Sequence, residues 1–389
     1  MKQSTNRILT THTGSLPRPP DLLEMMRARE RGEPVDKTAL ADSLRWAVAE
    51  AVRQQVEAGI DIVTDGEFGK PGFSVYVAER LEGFGGLNTE NRVRAESEDF
   101  PGWSSQSRAG TGIRRPFCVG PVAYRGKDAV EEDIRNLKGA LAGNPGVEGF
   151  LPSASLGVIE YTIVNRYYPS SEAYLFALAD AMKEEYRAIA RSGLILQIDA
   201  PDNAMDRSVS FRGHSLEEYR KVQAVRVEAL NHALEGIPAE QVRYHVCWGN
   251  YDGPHTYDVE LRDVVDLMLK VNAGAYVVEA CNPRHAHEWK LWEEVKLPPG
   301  KILIPGVIDT TSSFVEHPEL VAQRIEQYAR VVGRENVIAG TDCGFQTFAG
   351  GGRLHPEIVW AKLKSLALGA RLASKRLWGE GGRSRDRAP

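Results

Sequence analysis

Arg191-Ser192-Gly193-Leu194-Ile195-Leu196-Gln197-Ile198-Asp199 is the stretch that decides the fold. Upstream of it, Leu175, Leu178, Met182, Tyr186 and Ile189 recur at helical spacing, so a helix presents one apolar face. Gly193 suits the left-handed position that closes a helix. The run Leu194–Ile198 is nearly continuous in apolar residues, as in a strand buried on both faces, and Asp199 ends it. Two further segments share this plan. Leu44, Val48, Val52 and Val56 lead to Gly59, then Ile60–Val63 and Glu67; a third segment ends at Gly274, with Tyr276–Val278 running into Glu279. Repeated helix-to-strand units predict a parallel β/α architecture.

Six more strands are predicted at Ile8–Ser15, Pro116–Val122, Gly149–Ala154, Arg243–Gly249, Ile302–Asp309 and Asn336–Cys343. The total exceeds the eight strands of a closed barrel by one. Pro116–Val122, flanked by Pro and Gly, reads as the accessory piece. Ser215-Leu216-Glu217-Glu218 is a capping box opening a helix with Tyr219, Val222, Val225 and Ala229 on one face. A last helix from Pro356 turns Val359, Leu363, Leu366 and Ala370 inward. The irregular stretch 83–115, rich in Gly, Ser, Asn and charge, reads as an insertion over the barrel mouth. The fold expected is a single α/β domain, a (β/α)8 TIM barrel spanning residues 1–375, with 376–389 as a flexible, locally basic tail.

The 389 residues are 42% hydrophobic and 26% charged, which excludes long disordered or collagen-like readings. A net charge of −5 argues against a dedicated nucleic-acid binder. No apolar run reaches the ~18–20 residues that cross a bilayer, and MKQSTNRILTTHTG carries no apolar signal region, so the expected compartment is the cytoplasm. Four cysteines in so long a chain are not a disulfide scaffold.

Barrel active sites lie at the C-terminal ends of the strands. Those ends carry Ser15, Glu67, Asp199, His245 with Cys247, Glu279, Asp309 and Cys343. His245 and Cys247 are two apart on one strand and project to the same side. With Cys343 and Glu279 they make an N/S/O/S set suited to a borderline-soft ion such as Zn²⁺. The plainer reading is a buried thiol and a histidine satisfied by a backbone carbonyl. Cys281, His285 and His287 form a competing arrangement, read as ordinary loop residues. Cys118 reads as a small buried apolar group and His232 as a surface residue; His255, His317 and His355 lie in loops with nothing to single them out. His12, near the end of the first strand, is better placed. Glu67 and Asp199 either pair with barrel arginines or form a negative pocket for a substrate ammonium.

The stretches TTHTGSLPRP (10–19), DIVTDGEFGK (61–70), LQIDAP (196–201) and RYHVCWGN (243–250) resemble, in order, the cobalamin-independent methionine synthase family in its C-terminal catalytic barrel. VVEACN (277–282), PGVIDT (305–310) and GTDCGF (340–345) continue the series, which also resembles single-barrel relatives such as epoxyalkane:coenzyme M transferases. The resemblance implies a catalytic zinc on His245, Cys247 and Cys343, with Glu279 as an exchangeable fourth ligand. It places Ser15, Glu67 and Asp199 at the amino-acid end of a homocysteine-like thiol. Two features depart from the family: Thr311 stands where the methionine synthases carry a histidine, and the long N-terminal barrel of the full-length enzymes is not part of this sequence.

The activity expected is zinc-dependent alkyl or methyl transfer to a small thiol, with Asp309 or His12 handling the proton at the leaving group. Alternatives are epoxide ring opening by coenzyme M, whose sulfonate would use Arg18, Lys70 or Arg284, a metal-free barrel like uroporphyrinogen decarboxylase, and a non-catalytic zinc-binding protein. Expected partners are the thiol and its carbon donor, with no nucleic acid or membrane; a homo-oligomer is compatible with the sequence.

Overall fold

The computed structural model describes residues 1–90, 93–106 and 115–379. In chain order its strands are β1 (Leu9–Thr10), β2 (Ile62–Val63), β3 (Phe84–Asn88), β4 (Arg115–Cys118), β5 (Glu148–Ala154), β6 (Val164–Asn165), β7 (Ile195–Asp199), β8 (Val242–Val246), β9 (Ala275–Val278), β10 (Ile302–Pro305) and β11 (Ile338–Ala339). Six of them form one sheet in the order β10-β9-β8-β7-β5-β2, every pair parallel. β1 and β11 form a separate parallel pair. Single parallel bridges join that pair to both edges of the sheet, Thr11 to Ile62 on one side, and Leu303 to Val337 and Gly306 to Gly340 on the other. This is a parallel α/β fold, consistent with a TIM-like barrel. Of the Pro116–Val122 segment, Pro116–Cys118 falls instead in a small sheet, β3-β4-β6, as its flanking Pro and Gly suggested.

The helix before β7, Ser171–Arg191, starts where Ser170 accepts from the Ala173 N–H, and it buries Leu175, Leu178, Met182, Tyr186 and Ile189. Gly193 follows at φ +86, a conformation that a Cβ disfavours. The helix Lys37–Ala58 ends likewise at Gly59, φ +91. The third unit differs from expectation. Only a short 3₁₀ turn and the one-turn helix Val265–Met268 precede β9. Gly274 is not a left-handed cap; a Cβ there would sit 2.7 Å from the Ala239 carbonyl oxygen, so glycine permits a close backbone approach.

The Ser215–Glu218 capping box forms, but the buried face of Leu216–Ala233 includes Gln223 and Arg226, with Val222 and Val225 half-buried. Arg226 is tolerated there because Glu160 and Asp206 pair with it at 3.0 and 2.9 Å. Val359, Leu363, Leu366 and Ala370 are buried as read from the sequence, yet their helix runs Pro356–Trp378, past the expected boundary at 375. The rest of the expected tail, 380–389, lies outside the described residues.

Two apolar layers hold the strands. Leu9, Ile62, Phe150, Ile195, Ala275, Val277, Ile302, Ile304 and Ile338 pack among themselves as one cluster, and the strands' other faces join the larger core under the helices. Because side chains on β7 and β8 alternate, Ile195, Gln197 and Asp199 share one face, as do Arg243 and His245. Above the apolar cluster lies a polar layer: Arg243 donates to Gln197 at 2.6 Å, to Thr11 Oγ1 at 2.9 Å and to the His12 carbonyl at 2.6 Å, with its guanidinium 3.7 Å from the Phe150 ring. Asp199 and His245, paired across the β7–β8 register, come next toward the C-terminal end.

Candidate active site

Beyond that polar layer opens a cavity of about 300 Å³. Ser15, Glu67, Asp199, His245, Cys247 and Cys343 all line it. Asp199 ends β7; His245 lies near the end of β8, with Val246 turned into the outer core and Cys247 just past the strand. Cys343 comes in on the loop after β11, whose Gly344 must stay glycine because a Cβ there would fall 2.1 Å from Ser15 Oγ.

His245, Cys247 and Cys343 are buried, and their ligand atoms lie within 4.8 Å of one another. Burial and the charge of Arg243 push His245 down to about 3, so the imidazole is neutral at neutral pH, as a metal ligand must be. Its Nδ1 has no hydrogen-bond partner. The Cys343 thiol is driven well above the ordinary cysteine range by its hydrogen bond with Cys247 and by burial. One neutral imidazole and two thiols converging in a buried site fit a borderline-soft divalent ion.

Glu279 does not belong to that group. Its carboxylate follows β9, but Oε2 accepts from the Trp248 N–H at 2.7 Å and Oε1 from Asn282 Nδ2 at 2.9 Å. Burial and the neighbouring Asp342 push it up to about 7.

Glu67 and Asp199 form the second chemical feature. Glu67 adopts φ +60, an uncommon conformation for a residue with a side chain. Arg18 braces the turn by donating to the carbonyls of Glu67 and Lys70, each at 2.7 Å. Glu67 Oε1 rests against Gly14, where a Cβ would stand only 2.5 Å away. Burial, with a further contribution from Asp65 against the opposing charge of Lys70, pushes Glu67 up to about 7. Asp199 is held well above the usual carboxylate range by burial and by Glu67, although Gln197 donates to it at 2.7 Å. Burial and mutual repulsion thus act in the same direction on both carboxyls, each favouring the protonated form over the ordinary case.

The two residues expected to handle protons stand elsewhere. His12 is fully buried behind the cavity wall, with Nε2 2.7 Å from Gln55 Oε1 and its ring edge-on to Phe150; burial takes it down to about 4. Asp309 caps its own turn, accepting from Thr311 N and Oγ1 and from Ser312 N at 2.8–2.9 Å. Burial raises this carboxyl, but those donors outweigh it and hold it below the ordinary value. Neither residue lines the cavity. The strand-end rule fails here because a side chain past a strand can serve its own turn's backbone, as Asp309 does, or a buried side chain behind the wall, as His12 does.

Arg18, Lys70 and Arg284 are likewise spent outside the cavity, Lys70 on the Pro152 carbonyl and Arg284 near the Thr256 carbonyl at 3.4 Å. Cys281 donates to Asp342 at 3.0 Å and His287 is exposed, so the CNPRHAH loop does not assemble as one ligand set. Cys118 is buried and His232 pairs with Asp180 at 2.8 Å. The cavity also gains residues that sequence reading missed: Arg94 and Arg115 from the 83–115 stretch, Asn250 and Tyr251 after β8, and Phe348. Only the last two residues of WGNY, immediately after His245-Val246-Cys247, lay where a signal could have pointed.

The family model described as "Cobalamin-independent synthase, Catalytic domain" matches residues 8–351. The chain belongs to this family. Among relatives of this cobalamin-independent synthase domain, the methionine synthase of Saccharolobus solfataricus is 27% identical over 383 residues, covering 95% of each chain. That of Thermococcus kodakarensis is 24% identical over 373 residues, covering 96% of this chain and 95% of the relative. Among solved structures, a B12-independent methionine synthase from Shewanella sp. W3-18-1, in complex with selenomethionine, superposes with a TM-score of 0.73 at 23% identity, over 95% of this chain and 99% of that one. That likeness supports the fold. All seven stretches that carried the resemblance fall within the matched residues of the synthase domain.

Proposed function

We propose that this cobalamin-independent synthase domain is a zinc-dependent thiol alkyltransferase whose acceptor is an amino-acid thiol such as homocysteine, methyl being the transferred group. The observation that carries the reading is that one cavity is walled both by the His245/Cys247/Cys343 cluster and by the Glu67/Asp199 pair. His245, Cys247 and Cys343 would hold the ion, with Glu279 as a neighbouring carboxyl rather than a preformed fourth ligand. A bound zinc ion lowers the pKa of a coordinated thiol, which near 8.5 is otherwise mostly protonated at neutral pH, while two cysteinates keep the sulfur electron-rich.

The chain's own residues do the positioning. Glu67 and Asp199 ionise as an ammonium group binds beside them, any proton they carry passing to solvent, so that charge-assisted hydrogen bonds offset the burial that disfavours their charged forms. Ser15 and Thr13 line the same cavity. The closed (β/α)8 arrangement, with 83–115 as an insertion over the mouth and 1–375 as the catalytic unit, belongs to this reading, as does a cytoplasmic setting.

A second reading has one observation in its favour. Arg94 and Arg115 line the cavity, and basic groups there suit a sulfonate-bearing thiol of the coenzyme M type attacking an epoxide. The test is to measure bound zinc, then titrate homocysteine and coenzyme M separately into the loaded protein. Zinc at one or more equivalents, lost from this site in Cys247→Ser/Cys343→Ser, with homocysteine bound more tightly, supports the first reading. Preference for coenzyme M supports the second, and thiol alkylation at full rate by the double variant sinks both.

A further inference from the structure

A second imidazole cluster lies outside the cavity lining, in loops to which no role has been given. His255 and Asp258 follow β8, His285 follows β9, and their ligand atoms fall within 4.8 Å of one another. His255 Nδ1 faces Asp258 Oδ2 at 2.6 Å while its Nε2 faces the Tyr251 carbonyl at 3.2 Å. His285 Nε2 faces the same Asp258 oxygen at 2.9 Å, and its Nδ1 faces Glu288 Oε2 at 3.0 Å. Glu288 is itself anchored by accepting from the Leu261 N–H at 2.7 Å.

All four ring nitrogens therefore point at oxygen acceptors, yet a neutral imidazole has a single N–H to give. Glu288 and the Tyr251 carbonyl claim the outer N–H of each ring. In the neutral rings that leaves two lone pairs, on His255 Nδ1 and His285 Nε2, turned toward a carboxylate; against burial, Asp258 and Glu288 push His285 up to about 9, so without a cation that ring holds a second proton. An outer acceptor fixing the tautomer while the inner nitrogen faces a shared centre is how metal-bound histidines are arranged. Either two extra protons or one divalent cation resolves the conflict. A separate observation favours the cation: the Asp258 side chain is 1% exposed, and its Oδ1 is buried with no hydrogen-bond partner. Protonated rings satisfy Oδ2 and leave Oδ1 bare, whereas a cation shared with both carboxylate oxygens satisfies each of them.

We propose that His255, Asp258 and His285 form a second divalent-cation site, built on two imidazoles and a carboxylate and separate in its residues from His245, Cys247 and Cys343. Such donors suit Zn²⁺ and its neighbours in the first transition row. The ion ties the loop after β8 to the segment after β9. That loop carries Asn250 and Tyr251, which wall the cavity, and the Tyr251 ring lies 4.0 Å from the His255 ring. His285 stacks at 3.7 Å on Trp248, the residue after Cys247. The site's work is to order this wall, and it does so whichever thiol the cavity accepts.

The full-length protein, stripped of metal, is titrated with Zn²⁺ and then with Co²⁺, by calorimetry and by metal analysis after gel filtration. Two equivalents in the unsubstituted protein, one in Cys247→Ser/Cys343→Ser, and none when His285→Gln or Asp258→Asn is added are the expected results. In the cysteine double variant, Co²⁺ gives ligand-field bands without thiolate charge-transfer absorption, and its binding raises the thermal midpoint. Circular dichroism confirms that each variant is folded; should His285→Gln not fold, Asp258→Asn supplies the same comparison. A double cysteine variant that binds no metal at micromolar concentration overturns the proposal, as does an equivalent that survives His255→Gln/His285→Gln.

Discussion

Asp199→Asn isolates the charge that the proposed reading assigns to substrate recognition. The replacement has the same shape, and its amide oxygen can still accept from Gln197, which donates to the carboxylate at 2.7 Å. Burial and Glu67 raise the Asp199 carboxyl well above the ordinary carboxylate range, which lowers the cost of replacing it by a neutral amide, and the thermal midpoint should stay level or rise. What disappears is a buried charge-assisted hydrogen bond to an entering ammonium, worth about 1.5–3 kcal/mol. At about 1.4 kcal/mol per tenfold, homocysteine affinity should fall roughly 10- to 150-fold. The assay is calorimetric titration of the zinc-loaded protein with homocysteine and, in parallel, with 4-mercaptobutyrate, which has the same thiol and carboxylate and no amine. The substitution should weaken the first and leave the second within about twofold. Equal losses for both thiols, or none for homocysteine, would refute the assignment of Asp199 to the amine.

Glu67→Gln tests the other half of the pair through pH. A carboxyl whose folded value, about 7, exceeds its unfolded value of 4.5 stabilises the fold below 4.5, and that contribution is lost as pH rises toward 7. The variant keeps the neutral form's shape at every pH, so its stability relative to the unsubstituted protein should climb across that window; a flat difference in urea melts excludes a raised Glu67. Away from the site, Arg80 is buried against Glu185 at 3.0 Å and against Asp133. Arg80→Met strands two buried carboxylates and should cost about 3–5 kcal/mol in urea unfolding, whereas a loss below about 1 kcal/mol would mean the network is not buried in solution.

The positions of most cavity-lining polar residues were legible in the sequence because they follow from one-dimensional rules. A helix closed by Gly193 or Gly59 and followed by an apolar run needs no tertiary information to read as a β/α unit, and alternation along the predicted strand Arg243–Gly249 puts His245 and Cys247 on one side. The third unit was misread because the segment before Gly274 looked like another crossover helix. In the structure it is barely a turn long, and its glycine answers to the Ala239 carbonyl, a contact from a distant part of the chain.

What the sequence by itself determined is thus the parallel β/α plan and most of the polar groups at the strand ends. Only the tertiary structure decided what each of those groups faces. Asp309 and His12 follow strand ends as Asp199 and His245 occupy them, yet one is consumed by the N–H groups of its own turn and the other by Gln55, forty-three positions away. The same packing drew Arg94 and Tyr251 to the cavity and brought His255 to His285, pairings that no spacing announces. Periodicity is a property of neighbours along the chain, whereas the partner of a buried polar atom is chosen by whichever segments the closed fold presses against it.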